Sequence, residues 1–110
     1  MIRVGDTLLL ACRIWQGDLT GVRVAKFTAT DDVACVATCP IVYCRGADRE
    51  PLDRYWPEDR IWLAGYLVVT ATDVHDGELT VRLPDDQHVL VDRSQVPYRL
   101  EMVPTWQPTA

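Results

Sequence analysis

Several things this chain of 110 residues lacks narrow its range before any pattern is sought. Apolar residues never run long: the most apolar stretch, Ile61 to Val69, holds Gly65 and falls well short of the roughly 20 residues that a helical membrane span needs. The opening Met1-Ile2-Arg3 leads into Val4-Gly5-Asp6, and Asp6 and Arg13 interrupt the apolar run that a secretory signal requires. Neither repeats nor low-complexity segments occur. Positive charge is scarce too, with 11 Lys and Arg against 16 Asp and Glu, a formal net charge of −5. That balance disfavours a nucleic-acid partner, because phosphate contacts need a basic face. It suggests a basic partner or a surface tuned for solubility. Catalytic residue types are sparse as well: two histidines, His75 and His88, and one serine, Ser94. There is no nucleophile elbow, no glycine-rich phosphate cradle and no H-E-x-x-H run. These absences point away from an enzyme and from a membrane protein. They leave the cytoplasm as the expected compartment, where cysteines stay reduced.

The residues present describe a folded β domain. Apolar residues make up 48% and charged residues 25%, which is ordinary for a globular chain and too apolar for disorder. The clearest signal lies between Asp76 and Val96. Leu79, Val81 and Leu83 alternate with Glu78, Thr80 and Arg82, the period of a strand with one buried face. Pro84-Asp85-Asp86-Gln87 supplies turn chemistry, after which Val89 and Val91 recur opposite His88 and Asp92. This is a hairpin of fixed register, since a slip of one residue would bury Glu78 and Arg82.

The remaining chain is read in the same way. Residues 4–15 form a first strand, with Leu8, Leu10, Cys12 and Ile14 on one face and Leu9 and Ala11 making the other apolar; such a strand is central or curls within a barrel. Strands are expected at Val22 to Thr30, Val33 to Thr38 and Ile41 to Cys44, with a helix N-capped by Asp31 as the competing reading. Residues 45–60 are nine-sixteenths charged with two prolines and read as a solvated connection with one helical turn after Glu50-Pro51 or Pro57. Ile61 to Thr72 is a strand bent at Gly65. Arg93 to Pro97 fits a 3₁₀ turn, Tyr98 to Val103 a closing strand, and residues 105–110 an extended tail after a single domain spanning 1–104.

Together Val4-Gly5-Asp6, Trp62 with Gly65, Asp76-Gly77 turning into Leu79-Thr80-Val81, Leu83-Pro84-Asp85, Val89 with Val91, and the turn ending at Val96 resemble a small SH3-like barrel of the Tudor type. The resemblance implies one strand, a long loop, three meandering strands, a 3₁₀ turn and a short closing strand. Residues 16–60 then form a long insertion between strands one and two; an OB-like barrel or an open β-sandwich are the alternatives. It also implies binding as the mode of action. Tudor-type barrels draw cage aromatics from the loops after strands one and three, and here the latter loop, Pro84 to Gln87, has none.

Three groups are candidate sites. Trp15, Tyr55, Trp56 and Trp62 supply a stacking or contact surface for a partner protein or a second copy of the chain, with a homodimer left open; the barrel's edge strands are a further surface. Their structural alternative is to cover an open barrel end and pin the insertion. Cys35-x₃-Cys39-x₄-Cys44 with distant Cys12 lacks the paired knuckles of a zinc site and reads as buried thiols, so no cofactor or metal is expected. The acidic turns at Asp73, Asp76, Glu78, Asp85 and Asp86 lack a full calcium loop and read as turn and solubility residues. Two other readings stay in view: a pocket at the barrel mouth using His88, Asp92 or a cysteine, with Ser94 a neighbour of His88, and nucleic-acid binding through Arg45, Arg49, Arg54 and Arg60. Acids interleave those arginines and cancel their field. One consequence follows directly from the alternation. Val81→Asp should abolish the cooperative thermal transition, because an unpaired buried carboxylate costs several kcal/mol, comparable to a small domain's whole stability; retention of a wild-type melt would refute the assignment of Val81 to the core face.

Overall fold

A computed structural model describes residues 1–15, 22–52 and 61–100. The described chain is mainly β, with no α-helix among these residues, and its sheet curls into an antiparallel half-barrel. The expectation of a small, mainly β barrel is met. The strands are β1 (Thr7–Trp15), β2 (Val22–Thr28), β3 (Ala34–Pro40), β4 (Cys44–Gly46), β5 (Trp62–His75), β6 (Glu78–Arg82), β7 (His88–Asp92) and β8 (Tyr98–Arg99).

The sheet is built on the ladder between β1 and β5, which runs through nine consecutive pairs from Thr7↔Thr70 to Trp15↔Trp62. Each of these two strands divides its outer edge between two partners. β1 pairs with β8 at Leu8 and Leu9 and with β2 from Arg13 to Trp15. β5 pairs with β4 from Gly65 to Leu67 and with β6 from Thr70 onward. Along the chain, β1, a long insertion, then β5, β6 and β7, a 3₁₀ turn at Arg93–Gln95 and the short β8 follow in the succession expected from the sequence. In the sheet β8 lies beside β1, giving β8-β1-β5-β6-β7. The insertion adds β2, β3 and β4 to the same ladder.

Alternation decides what is buried. Leu8, Leu10, Cys12 and Ile14 of β1 face the same core as Leu67 and Val69 of β5, Leu79 and Val81 of β6, Val91 of β7, and Ala25, Phe27, Ala37 and Cys39 of the β2–β3 hairpin. The 76–96 hairpin keeps its expected register, with Leu79 opposite Val91 and Val81 opposite Val89. Asp86 takes the left-handed backbone (φ 70°) that its turn requires.

The β2–β3 hairpin reaches across to the far side of the curl through side chains. The Thr38 N–H donates to Asp85 Oδ2 at 3.2 Å, and Gln87 Nε2 donates to the Val36 carbonyl at 3.1 Å. Gln95 Nε2 donates to the Thr28 carbonyl. The edge of β3, which would otherwise present bare backbone groups, is thus partly occupied by the β6–β7 turn.

Several local expectations are corrected. β2 stops at Thr28 and Thr30–Asp32 forms one 3₁₀ turn. Ala34–Pro40 is strand and not a helix capped by Asp31, and Ile41–Tyr43, expected as strand, is a second 3₁₀ turn in which Cys44 N–H closes back on the Ile41 carbonyl after Pro40. Residues 45 and 46 belong to β4 and not to a solvated connection. A tight turn then follows, with Gly46 N–H donating to the Glu50 carbonyl and Leu52 N–H to the Cys44 carbonyl; Leu52 is buried. The β1–β5 register runs unbroken through Gly65, and the irregularity in β5 lies between Ala71 and Asp73. β5 itself extends to His75. Of the expected closing strand, Tyr98–Arg99 is β8 and Leu100 is not strand; residues 101–110, which hold the rest of that strand and the expected tail, lie outside the described residues.

Gly65 is still indispensable, for a different reason. A Cβ built there would lie 2.3 Å from the Arg45 carbonyl oxygen and 3.1 Å from Ile14 Cδ1. The missing side chain lets β4 lie against β5. Gly65→Ala should therefore cost roughly 3 kcal/mol, the upper range for overpacking against backbone that cannot yield. Urea unfolding measures it, and an unchanged midpoint would show that β4 moves away freely.

Candidate functional site

The faces of the β1–β5 ladder differ. The inner face is core, whereas the outer face carries Leu9, Ala11, Arg13 and Trp15 opposite Val68, Tyr66, Ala64 and Trp62. Trp15 and Trp62 are direct cross-strand partners, both half-buried, with ring centroids 6.3 Å apart and planes tilted by 32°. Such a pair adds to sheet stability beyond area alone. The Arg13 guanidinium lies 5.9 Å from the Trp62 ring centre. At the other end of the face Tyr66 and Tyr98 meet edge to face at 5.6 Å, and Arg49 stacks 4.3 Å over Tyr98. Leu9 and Val68 are buried on this side, apart from the main core.

Of the four aromatic residues singled out in the sequence, the structure brings Trp15 and Trp62 together. Tyr55 and Trp56 lie outside the described residues. The pairing of Tyr66 with Tyr98, and the cations beside both pairs, escaped the sequence reading. Strand period alone places Trp62, Ala64 and Tyr66 on one face; what it lacks is the β1–β5 register that aligns them with Trp15 and Arg13.

Charge is also sorted by position. Between Thr7 and Thr72, strands β1 to β4 and the first eleven residues of β5 contain Arg13, Arg23, Lys26 and Arg45 and no acid. The acids among the described residues sit in turns, at the end of β5 and in the C-terminal hairpin. Arg23 points inward and is buried. Arg45 Nη1 donates to the Val42 carbonyl at 2.9 Å. Arg13 and Lys26 remain on the outer face as direct cross-strand partners.

Beside them is a cleft of about 520 Å³. It opens because β2 pairs with β1 only from Arg13 onward and β8 only at Leu8 and Leu9, so the intervening edge of β1 has no strand against it. Ala11, Cys12, Phe27 and Ala34 supply its apolar lining, with Arg13, Lys26, Ser94 and Gln95 around them. Its volume and mixture of apolar walls with a few polar groups fall in the range of binding sites.

The cysteines are free thiols, with Cys12, Cys39 and Cys44 buried and Cys35 half-buried. Cys35 and Cys39 share the inner face of β3, as strand period requires. The 3₁₀ turn at Ile41–Tyr43 brings Cys44 back, so that its sulfur lies 3.5 Å from that of Cys39. Among the described residues no group of three or more His, Cys, Asp or Glu side chains is placed to hold a metal ion.

Burial, and then the nearby Cys44, push the Cys12 thiol up to about 12. In the Cys39–Cys44 pair the proton stays on Cys39, which is pushed up chiefly by its hydrogen bond to Cys44. Cys44 is held below the ordinary thiol value first by that bond and then by the Arg23 and Arg45 guanidiniums.

The catalytic alternative receives no assembled pair from His88 and Ser94. His88 opens β7 and Ser94 lies in the turn beyond its far end, so the length of a five-residue strand, roughly 16 Å, separates them. His75 Nε2 lies 3.1 Å from Asp73 Oδ2, with both side chains largely exposed. Of the four arginines in the nucleic-acid alternative, Arg45 is bound to the Val42 carbonyl and Arg49 to the Tyr98 ring; Arg54 and Arg60 lie outside the described residues.

Comparison with protein-family models, with curated proteins and with solved structures finds no match for this chain. No helix among the described residues is long and apolar enough to cross a membrane.

The Cys12 shift fixes the sign of a pH effect. Below pH 9.0, the ordinary thiol value, Cys12 is protonated in both folded and unfolded chains and its contribution to stability is fully present. As pH rises from 9.0 toward about 12, the unfolded chain alone releases the proton, and stability falls by up to roughly 1.4 kcal/mol per pH unit for this thiol. Denaturant unfolding at stepped alkaline pH should show that loss, and Cys12→Ala should flatten the slope. An identical slope in the variant would contradict the assignment.

Proposed function

We propose that this chain is a non-enzymatic binding module that acts through protein–protein contacts, with the outer face of the β1–β5 ladder as its contact surface. The observation that carries the proposal is the cross-strand pair Trp15–Trp62, half-buried on a rigid nine-pair ladder. Large aromatic side chains held in one geometry lose little entropy on binding and dominate the energetics of protein contacts. Exposed Ile61, adjacent to Trp62 in the chain, and exposed Val36, beyond Lys26 in the adjoining row, add apolar area to the described surface. Tyr55 and Trp56 enter this reading on their sequence position alone. The free thiols suit a reducing compartment such as the cytoplasm.

A partner protein and a second copy of the chain are the two occupants this face invites, and one variant separates both from a structural role. Trp62→Ala should lower stability by no more than roughly 2 kcal/mol, since the side chain is only half-buried. It should nevertheless remove capture of a partner from extracts of the native host, or convert a dimer to a monomer by light scattering. Capture and oligomeric state unchanged in a folded Trp62→Ala variant would overturn the proposal. Outright unfolding of the variant would assign the pair to structure alone.

A further inference from the structure

The contact face carries a feature that folding alone does not favour. Arg13 and Lys26 are directly opposed across the β1–β2 ladder, and like charges in that position destabilise a sheet. The ion pairs among the described residues involve neither side chain. Asp85, the acid that reaches β3, is engaged by Thr38 N–H and the Gln87 side chain at the strand's far edge. In a chain with a net charge of −5, a local surplus of cations on an acid-free sheet face is a specific arrangement.

Its surroundings are apolar. Along the register Lys26 sits beside Val36 and Arg13 beside Ala64, while the next row holds Val24, Trp15 and Trp62. On the other side the 520 Å³ cleft descends between Cys12 and Phe27. A small inorganic anion would neutralise the cations and leave this apolar surface wet. A nucleic-acid strand would bring more phosphates than two cations can answer and would lay them over Val24 and Val36. A polypeptide segment in which an acidic side chain is flanked by bulky apolar ones satisfies both parts at once.

Resting on the reading of this face as a protein-contact surface, we infer that its occupant is an acidic segment of a partner protein, with a carboxylate held between Arg13 and Lys26 and a neighbouring aliphatic or aromatic side chain seated in the cleft. The chain's overall acidity suggests a basic partner; the charged side chains that β1 and β2 place on this face, Arg13 and Lys26, have the opposite sign. Charge complementarity at such a site sets specificity and encounter rate more than total affinity. The apolar side chain in the cleft provides the hold.

The test uses the full chain, isotopically labelled for amide NMR, and the blocked peptide acetyl-Leu-Glu-Leu-Glu-Leu-amide. Shifts should concentrate at Ala11, Lys26, Thr28 and Ala34, and binding should weaken as salt is raised. The peptide with Gln in place of Glu should bind about tenfold more weakly, equivalent to roughly 1.4 kcal/mol. Lys26→Gln should reduce the preference for Glu over Gln, whereas Trp62→Ala should weaken both peptides alike. Equal binding of the two peptides would overturn the inference while leaving the contact face standing. Absence of any shift with either peptide would overturn it as well, and wild-type partner capture by Trp62→Ala would then remove the face too. A short oligothymidylate that bound more tightly than the acidic peptide would overturn it in favour of nucleic acid.

Discussion

The register between β1 and β5 is the constraint from which the rest of the molecule follows. It sets Leu8, Leu10, Cys12 and Ile14 against Leu63, Gly65, Leu67 and Val69 on one face. A slip of one residue would exchange that core for Arg13 and Trp15. It also determines which stretch of each strand is left for other partners. β4 approaches β5 only where Gly65 has no side chain, and β2 leaves β1 after Arg13. Core, insertion and cleft are therefore consequences of a single alignment.

How much of this was legible in the sequence depended on how local its cause was. The 76–96 hairpin was readable because period-two alternation and turn chemistry act within a few residues, and its register needs no distant information. The 3₁₀ turn after Asp92 was readable for the same reason, since Asp92 and Gln95 cap it reciprocally. Ile41 to Cys44 misled because β-branched residues favour strand, whereas the chain there must turn so that Cys44 can join the core. Gly65 was correctly seen as a backbone signal, but a bend and a close approach look identical until β4 is in place. The closing strand was legible at its start, where Tyr98 and Arg99 pair with Leu9 and Leu8, and its expected continuation from residue 101 lies outside the described residues.

The site was legible in composition and hidden in arrangement. An excess of aromatic residues around 55–62 could be noticed without knowing that Trp62 meets Trp15 from the far end of the ladder. Net charge was the more deceptive quantity. It is a sum over the chain, and a binding partner samples only one surface of it. Among the described residues the acids occupy turns, the end of β5 and the C-terminal hairpin, and Asp85 serves backbone geometry there by accepting the Gln87 N–H. Strands β1 to β4, and β5 as far as Thr72, carry cations and no acid. Similarly, the cysteine spacing was rightly unlike a zinc knuckle, yet spacing could not reveal that a three-residue turn sets two sulfurs in contact.

The amide and carboxylate groups that the β6–β7 turn extends to β3 serve as a surrogate strand. Asp85 and Gln87 answer an N–H and a C=O there, so a half-open sheet is finished without a continuous ladder. An incoming extended chain finds that part of the rim already taken, which discourages indiscriminate stacking of copies into fibrils. Recognition is thereby displaced from the backbone, which every polypeptide shares, to side chains, where a lineage can retune its choice of associate one substitution at a time without disturbing the scaffold.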